Sequence, residues 1–246
     1  MPKLDRLLAR NLGCSRARAR ELLAAYAGQA PVDVPDQALP FAITIEGKPM
    51  ELHDSFHLML NKPAGCVTAL RDDEHETALA YLREAPLASE LRPVGRLDLD
   101  TTGLLLWTTD GALVHRLTHP KQAMPRGYHV ALARSFAALP PDLVLRDGHR
   151  PNVIELRVAS EGDMHPSLVR PPDATAFASI TVGDGAYHEV RRIFAALGSH
   201  VLSLCRVSFG AIELPRDLAP GEWRPVEPDK LPPDSNHRGY KERGAG

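Results

Sequence analysis

The pattern of apolar positions divides the chain into a short helical part and a longer part rich in strands. At the start, apolar side chains recur at the spacing of one face of a helix, at Leu4, Leu7, Leu8 and Leu12. Gly13 is suited to end that helix as a left-handed cap, and Ser15 is suited to cap the start of a second helix. The apolar side of this second helix consists of Ala19, Leu22, Leu23 and Tyr26. We therefore predict two short helices within residues 1–27.

From Phe56 onwards the pattern is typical of strands separated by loops and single helices. A strand that begins at Phe56 is expected to end at the turn Pro63-Ala64-Gly65, and an apolar run at residues 104–109 predicts a buried strand. Further strands are predicted at residues 128–133, 152–158 and 176–182, and short helices at residues 77–83 and 112–118. Several strands separated in this way favour an α+β fold with a mixed, largely antiparallel sheet.

The length of the chain allows one sizeable core with a small appended domain. The sequence has 246 residues, of which 43% are hydrophobic. We predict an N-terminal domain at residues 1–50, a linker at residues 50–56 and a main domain at residues 55–230. Residues 231–246 are polar and end in glycine, which predicts a disordered tail.

Charge is distributed unevenly along the chain. The formal net charge is −2, yet the first 30 residues hold six basic and two acidic residues and so carry +4. The basic residues are Lys3, Arg6, Arg10, Arg16, Arg18 and Arg20. The last three of them begin the second helix, where the helix dipole disfavours cations. This placement is explained if a polyanion such as RNA binds there, while a solvated helix face is the alternative.

The cysteine content and the hydropathy predict a soluble cytosolic protein. The three cysteines are far apart and form no CxxC pair, so neither a disulfide framework nor a zinc knuckle is indicated. The sequence begins Met-Pro-Lys-Leu-Asp, without the apolar segment of a signal peptide, and no stretch approaches 18 apolar residues. We therefore expect no membrane interaction.

The stretch at residues 93–106, Pro-Val-Gly-Arg-Leu-Asp-Leu-Asp-Thr-Thr-Gly-Leu-Leu-Leu, combines polar groups with a buried strand. Polar side chains that abut such a strand have no packing role, which indicates a cleft. Asp98 is the strongest catalytic candidate within it. Alternatively, Asp98 and Asp100 are turn carboxylates that hydrogen-bond to their own backbone.

A second informative stretch, residues 183–198, predicts a helix beside that cleft. Its apolar stripe is formed by Val190, Ile193, Phe194 and Leu197, and Gly198 is suited to end it. At 100° per residue, Arg191 lies about 110° from the centre of the stripe and Arg192 about 150° from it. Arg191 is therefore placed to reach the cleft and Arg192 to point outward, unless both are ordinary surface arginines.

A metal site is the weaker interpretation of a third pattern. His115 and His119 are four residues apart on the predicted helix at residues 112–118, a spacing that can hold a metal. No Glu or Cys accompanies them and Pro120 follows at once, so we predict no metal.

Three ordered motifs resemble those of the RsuA-type pseudouridine synthases, which modify ribosomal RNA. They are Leu60-Asn61-Lys62-Pro63-x-Gly65, the segment from Gly95 to Leu104, and Tyr187-His188-x-Val190-Arg191-Arg192. The Ser-Arg start of the second helix is similar to the S4 RNA-binding module that precedes the catalytic domain in this family. The resemblance runs from about residue 3 to about residue 228. It implies an S4-like domain followed by a synthase domain with a central active-site cleft.

The resemblance implies a role for each matching residue. Asp98 would be the nucleophile, attacking C1′ or C6 or taking the C2′ proton, and Arg191 would pair with it and keep it ionised. Arg96, on the same strand as Asp98, would hold the backbone of a flipped-out uridine. Tyr128 would stack on the base, and its hydroxyl could assist removal of the C5 proton. Further residues implied in substrate binding are Lys62 and Arg126, and in RNA binding Lys3, Arg6, Arg16, Arg18 and Arg20.

The family also implies the partner and the absence of a cofactor. The small-subunit subtype looks closest, so the expected substrate is one uridine of 16S ribosomal RNA, of the uridine-516 type, in free RNA or an assembling small subunit. No metal or nucleotide cofactor is implied, and a monomer is expected. The chain departs from the pattern at Glu189, which replaces Gln, and at Arg126, which replaces Lys. Residues 28–36 also lack the Val-Asn/Asp-Gly turn of the S4 hairpin.

Three alternatives remain open at this point. The target could lie in 23S ribosomal RNA. The chain could be a ribosome-associated S4 protein without catalytic activity. The segment Asp98-Leu99-Asp100-Thr101-Thr102 also fits the nucleophile loop of magnesium-dependent phosphatases of the haloacid-dehalogenase type. That loop should follow a hydrophobic strand, which residues 91–96 do not resemble, and a later Asp-Asp pair is missing.

Overall fold

The computed structural model of the protein describes residues 3–25, 39–119, 122–227 and 231. Within these residues, none of the helices has the length and apolar character that crossing a membrane requires. Of the tail predicted at residues 231–246, all but residue 231 lies outside the described residues, as does the segment at residues 28–36.

The N-terminal unit consists of two helices and a hairpin. Helix α1 (Leu4–Leu12) ends at Gly13, whose φ of 61° is left-handed, and helix α2 (Arg16–Ala25) begins after Ser15. The Oγ of Ser15 accepts a hydrogen bond of 3.1 Å from the Arg18 backbone N–H. The two predicted helices and their caps are therefore confirmed.

The hairpin of this unit was not predicted. Strands β1 (Phe41–Ile45) and β2 (Lys48–Leu52) pair in antiparallel fashion around the turn Glu46-Gly47. Both turn residues have positive φ, 50° and 78°, as a two-residue hairpin of the primed type requires. Glu-Gly lacks the Asn-Gly or Asp-Gly signal of such turns, so the sequence pattern gave no sign of it.

The N-terminal unit has its own small core, which corrects the predicted boundary. The buried side chains of the core come from both helices and both strands: Leu4, Leu7, Leu8, Ala9, Ala19, Ile43, Ile45 and Leu52. Because β2 and this core continue to Leu52, the predicted domain end at residue 50 and the linker at residues 50–56 were wrong by about two residues. The connection to the main unit starts after Leu52.

The main unit is built on one sheet, in which nine strands of the described chain take part. The strands are β3 (His57–Lys62), β4 (Arg92–Pro93), β5 (Thr102–Thr108), β6 (Arg126–Leu132), β7 (Val153–Ala159), β8 (Ala176–Val182), β9 (Val201–Phe209), β10 (Ile212–Glu213) and β11 (Trp223–Pro225). The order is β11-β3-β5-β9-β6-β8-β7, with β4 paired to β5 and β10 to β9. Of these pairs, β5–β9 is parallel and the others are antiparallel. The predicted mixed, largely antiparallel sheet is confirmed.

The sheet is covered on both faces, which explains why the residues of the apolar run at 104–109 do not alternate with polar ones. Successive side chains of a strand point to opposite faces, and in β5 Leu105 and Trp107 join one core while Leu104 and Leu106 join the other. Helix α4 (Glu189–Ala196) packs on the first face and helix α3 (Gly111–Thr118) on the second. Every residue of β5 is buried.

Most predicted elements of the main unit are present with shifted ends. The helix predicted at residues 77–83 is a 3₁₀ helix (Ala78–Leu82), and further short 3₁₀ helices lie at Ala88–Glu90 and Glu161–Asp163. Central strand β9 was not predicted, because serines and a buried arginine interrupt its apolar pattern.

Candidate active site

Asp98 lies on a tightly held loop, residues 94–101, that connects β4 and β5. The Thr68 hydroxyl donates to the Leu97 carbonyl at 3.0 Å and accepts from the Leu97 N–H at 3.1 Å. The N–H of Gly65 donates to the Leu99 carbonyl at 2.8 Å. Asp98 and Arg96 are therefore loop residues, and the prediction that they share a strand was wrong.

Lys62 supports this loop from inside the protein. Its side chain is buried, and its Nζ donates to the carbonyls of Thr101 at 2.8 Å and Pro63 at 3.0 Å. Burial lowers the pKa of this ammonium group. The structure does not bring Lys62 to the wall of the cavity described next, so its observed contacts fix the loop and do not favour the predicted substrate contact.

A cavity of about 440 Å³ opens beside the loop and brings most of the predicted residues together. This volume lies within the range of small-ligand sites. Its wall includes five of the six residues predicted for catalysis and substrate binding, together with one buried arginine: Arg96, Asp98, Arg126, Tyr128, Arg191 and Arg206. A larger cleft of about 1330 Å³ lies between the hairpin of the N-terminal unit and the main unit, and its wall contains none of the predicted residues.

Asp98 faces a histidine in this structure. The Asp98 side chain is 39% exposed, and its Oδ2 lies 3.5 Å from His188 Nε2. Arg191 instead donates two hydrogen bonds of 2.8 Å to the carboxylate of Asp100 and one of 3.2 Å to the Val201 carbonyl. The predicted pair of Arg191 with Asp98 is therefore not formed, because the loop places Asp100 against the guanidinium of Arg191.

Of the two arginines of helix α4, Arg191 follows the prediction from the helical spacing and Arg192 does not. The Arg191 side chain is 22% exposed, at the edge of the buried face. Arg192 was expected to point outward, but it is partly buried and pairs with Asp147. The stripe at Val190, Ile193, Phe194 and Leu197 is buried, as predicted.

Tyr128 and Arg206 face the cavity from adjacent strands. They are register partners in the β6–β9 pair, and both side chains are buried. The Nε of Arg206 donates to the Leu104 carbonyl at 2.7 Å, whereas its Nη2 has no hydrogen-bond partner among the described residues. Burial lowers the pKa of the Arg206 guanidinium, and the neighbouring Tyr128 opposes that change. The sequence analysis missed Arg206, although a charged residue inside an apolar strand is itself a signal.

A glycine allows β5 to approach Arg206. Gly103 has a φ of 101°, and a Cβ built there would lie 2.3 Å from the Arg206 carbonyl oxygen. The parallel β5–β9 contact that positions Arg206 behind the loop therefore depends on glycine at this position.

Arg126 and Arg96 differ in the number of contacts that their side chains form within the protein. Arg126 donates to the carbonyls of Met124 at 2.9 Å and Asp184 at 2.7 Å, and its Cζ lies 5.2 Å from the Phe209 ring centroid. Arg96 is exposed and forms no hydrogen bond or ion pair with other described residues. Arg96 is thus available for an anionic ligand such as a phosphate.

Glu189, which replaces the Gln of the family pattern, is buried beneath the start of α4. Its Oε1 lies 2.9 Å from His149 Nε2, and Asp184 Oδ2 lies 3.8 Å from the same nitrogen. These three side chains form the one cluster in the described chain whose geometry could hold a metal ion. The hydrogen bond between His149 and Glu189 already satisfies one carboxylate oxygen without an ion.

The histidine pair singled out in the sequence lacks a third ligand among the described residues. The rings of His115 and His119 lie 5.5 Å apart between centroids, and no described Cys, Asp or Glu completes a cluster around them. The structure thus adds no observation that favours a metal at this place.

The basic residues of the N-terminal unit lie outside the cavity, and several are paired with acidic residues. Arg16 and Arg20 both contact the Asp5 carboxylate, at 2.9 and 2.8 Å, and Arg18 pairs with Glu21. Exposed side chains are those of Lys3, Arg6, Arg16, Arg18 and Arg20. The ion pairs account in part for the cations at the start of α2, without excluding a polyanion.

The comparisons with known proteins agree with one another, because each of them matches pseudouridine synthases. Residues 57–196 match the family model described as RNA pseudouridylate synthase. The ribosomal small subunit pseudouridine synthase A of Escherichia coli K12 is 36% identical over 243 residues, covering 93% of this chain and 98% of that protein. An uncharacterized RNA pseudouridine synthase of Bacillus subtilis is 31% identical over 242 residues, covering 93% and 96%. A crystal structure of a pseudouridylate synthase matches with a TM-score of 0.58 and 27% identity, covering 94% of this chain and 98% of that one.

Proposed function

The chain belongs to the RNA pseudouridylate synthase family, and we propose that it converts one uridine of 16S ribosomal RNA, of the uridine-516 type, into pseudouridine. The observation that carries this proposal is the cavity that joins Asp98 to Tyr128 and several arginines. The small-subunit target is supported by the name and 36% identity of the Escherichia coli relative.

Asp98 is the reacting group in this proposal. Its carboxylate either attacks C1′ or C6 of the uridine or takes the proton from C2′, and the C1′–N1 bond then breaks. The base rotates within the cavity and C5 bonds to C1′. In this step the bond between Asp98 and the uridine breaks or, if the C2′ proton was taken, that proton is returned. The proton on C5 is then lost, and N1 takes up a proton. These steps need a positioned, ionised carboxylate and involve neither a metal nor a nucleotide cofactor.

The other cavity residues bind and orient the uridine. Arg96, exposed and unpaired among the described residues, holds a phosphate next to the flipped-out nucleotide. Tyr128 stacks on the base, and its hydroxyl assists removal of the C5 proton. Arg191 and Arg126 supply positive charge at the cavity wall. Lys62 acts through the loop that carries Asp98.

The N-terminal unit is the proposed RNA anchor. Its two helices and hairpin, with Lys3, Arg6, Arg16, Arg18 and Arg20 exposed, form an S4-like domain that contacts RNA outside the cavity. We propose that the protein acts as a monomer. We place the enzyme in the cytoplasm, with ribosomal RNA or an assembling small subunit as its partner.

The proposal is tested with ribosomal RNA transcripts and partially assembled subunits in the presence of EDTA. Wild type is expected to form pseudouridine in 16S RNA, and Asp98→Asn is expected to form none. Asp100→Asn is the matched control, because it removes a neighbouring carboxylate of the same loop. Release of phosphate that EDTA abolishes, without pseudouridine formation, would favour the phosphatase alternative, and RNA binding without any product would favour a non-catalytic role.

The target is tested separately in cells that lack the protein. Mapping of pseudouridine across both large ribosomal RNAs is expected to show one lost site, in 16S RNA. Loss of sites in 23S RNA alone would contradict the small-subunit target while leaving the synthase activity intact.

A further inference from the structure

Arg206 is a buried cation without a buried anion. Its side chain is 2% exposed, and no described carboxylate lies within ion-pair distance of its guanidinium. Its Nε donates to the Leu104 carbonyl, its Cζ lies 5.5 Å from the centroid of the Phe209 ring, and its guanidinium interacts with the Tyr128 hydroxyl. Nη2 is buried and has no hydrogen-bond partner in the described chain.

Such an arrangement is costly for folding. A charge removed from water without an opposite charge destabilises the folded state, and an unsatisfied buried donor adds to this. An apolar residue at position 206 would fit the surrounding strand better, since the neighbouring buried residues Leu204 and Cys205 carry no charge. A retained cost of this kind is typical of functional sites.

The guanidinium is placed where the uridine base would lie. Arg206 lines the cavity together with Asp98 and is the cross-strand partner of Tyr128, the proposed stacking residue. Three other buried or half-buried cations nearby already have partners. Lys62 and Arg126 donate to backbone carbonyls, and Arg191 donates to the Asp100 carboxylate. Arg206 therefore retains unused charge and donor capacity beside the proposed base position.

We infer that Arg206 stabilises the negative charge that the uracil ring gains during the isomerisation. This inference rests on the proposed function, because it needs a uridine in the cavity. When the C1′–N1 bond breaks, its electron pair remains on the ring and spreads over N1, O2 and O4. If Asp98 instead adds to C6, the displaced pair reaches O4 by conjugation. The charge is discharged when C5 bonds to C1′, the C5 proton leaves and N1 takes up a proton.

The Arg206 guanidinium has the properties that stabilisation of a ring anion requires. A fixed cation in a water-excluded site stabilises developing charge more than it would in water, and it needs no reorganisation during the reaction. Arginine also remains protonated at neutral pH even when buried. The absence of a carboxylate partner leaves that charge uncompensated until the ring becomes anionic.

The test compares uridine with 5-fluorouridine at the target position under single-turnover conditions, and it follows cleavage of the C1′–N1 bond as disappearance of the starting nucleoside. Because fluorine replaces the C5 proton, the 5-fluorouridine RNA cannot complete the final proton loss, so the comparison concerns only the step that forms the ring anion. Fluorine makes the uracil anion more stable, so a variant that has lost the stabilising cation should lose less with this substrate. Removal of one such donor costs about 10²–10³-fold in rate. For Arg206→Met we expect a loss of that size in the rate of C1′–N1 cleavage in the uridine RNA, and a loss at least fivefold smaller with the 5-fluorouridine RNA.

Binding and a matched variant complete the experiment. The Kd for RNA is expected to stay within threefold of wild type, and Arg224→Met, which removes an arginine paired with Asp217 outside the cavity, is expected to leave conversion unchanged. Arg206→Lys, which keeps the buried charge but not the planar donors, should lose about tenfold with uridine and less with 5-fluorouridine. If Arg206→Met does not fold, Arg206→Lys serves as the test of the inference.

Two outcomes would overturn the inference. Equal losses with both substrates would show that Arg206 only maintains the shape of the site, and conversion within twofold of wild type would show that its charge is not used. The failure of the proposed function is distinct, because then the wild-type protein itself would convert neither RNA.

Discussion

Arg191 pairs with Asp100 rather than with Asp98: its Nη2 donates to both oxygens of the Asp100 carboxylate at 2.8 Å. Asp98, two residues earlier, has His188 as its neighbour at 3.5 Å. The two carboxylates of the loop therefore have different environments, one held by an arginine and the other left open towards the cavity. This difference assigns them different roles.

Substitution of the two aspartates should separate those roles. Asp98→Asn is expected to lower the rate of pseudouridine formation by about 10³-fold or more, equivalent to about 4 kcal/mol of barrier, because no other group replaces its carboxylate. Asp100→Asn releases Arg191 but leaves Asp98 in place, and we expect a loss of less than tenfold. Single-turnover assays on the same RNA measure both. Equal losses in the two variants would contradict this assignment.

Gly103 should not tolerate a side chain. Alanine at this position combines a φ of 101° with a Cβ 2.3 Å from the Arg206 carbonyl, so β5 and β9 must separate. We expect Gly103→Ala to lower the free energy of unfolding by about 2–4 kcal/mol. Gly111→Ala is the control, because it lies in α3 with open space around it and should be neutral or stabilising. Denaturant unfolding of both variants checks this.

Arg10 joins the N-terminal unit to the main unit. Its Nε donates to Glu90 at 2.8 Å, and its guanidinium also contacts Asp54. The hydrogen bond to Glu90 raises the pKa of Arg10. Arg10→Met is expected to lower stability by about 1 kcal/mol, since the pair is partly exposed, and to speed proteolysis between the units. Arg6→Met, an exposed neighbour, should change neither. Limited proteolysis with identification of the cleavage sites is the measurement.

The same contact should respond to acid. The hydrogen bond from Arg10 lowers the pKa of Glu90 below its usual value of about 4.5. A carboxyl whose pKa is lower in the folded state contributes stability above its unfolded pKa, and that contribution is lost as the pH falls through the folded pKa. The stability difference between wild type and Glu90→Gln should thus be constant above about pH 5 and shrink below pH 4.5. A difference that grows on acidification would contradict this pairing.

RNA affinity should rise when Asp5 is neutralised. Asp5 holds Arg16 and Arg20 at 2.9 and 2.8 Å, so Asp5→Asn frees two cations and removes an anion from the proposed RNA-binding face. We expect tighter binding at low salt and a steeper dependence of affinity on salt concentration. Fluorescence anisotropy at two salt concentrations measures both, with Asp72→Asn in the exposed loop of the main unit as control. Unchanged binding would place the RNA elsewhere.

Local sequence patterns were sufficient to predict the features that a single physical rule determines. The caps at Gly13 and Ser15, the buried stripe of α4 and the strand Ala176–Val182 follow from chain geometry and burial, and the sequence predicted them. The family resemblance likewise implied one cleft with Asp98, Tyr128 and Arg191, and these three residues line one cavity.

Features that depend on long-range contacts could not be predicted from the sequence pattern. The pairing of Arg191 with Asp100 depends on where the loop at residues 94–101 meets α4. The position of Lys62 under this loop depends on the carbonyls of Pro63, Leu99 and Thr101, which come together only on folding. Strand β9 was missed because Arg206 looks unfavourable in a buried strand until the cavity beside it is known.

The single parallel pair of the described sheet has a consequence for the order in which the protein assembles. β5 leads out of the Asp98 loop, and β9 supplies Arg206, which bonds to Leu104 from 102 residues further along the chain. Contacts between such distant segments form late, because a long loop must first be closed. The two sides of the cavity therefore meet only when the sheet is complete. During synthesis, a chain that has not yet emerged as far as β9 carries the proposed nucleophile Asp98 without a site around it, and the ability to modify RNA arises with the last steps of folding.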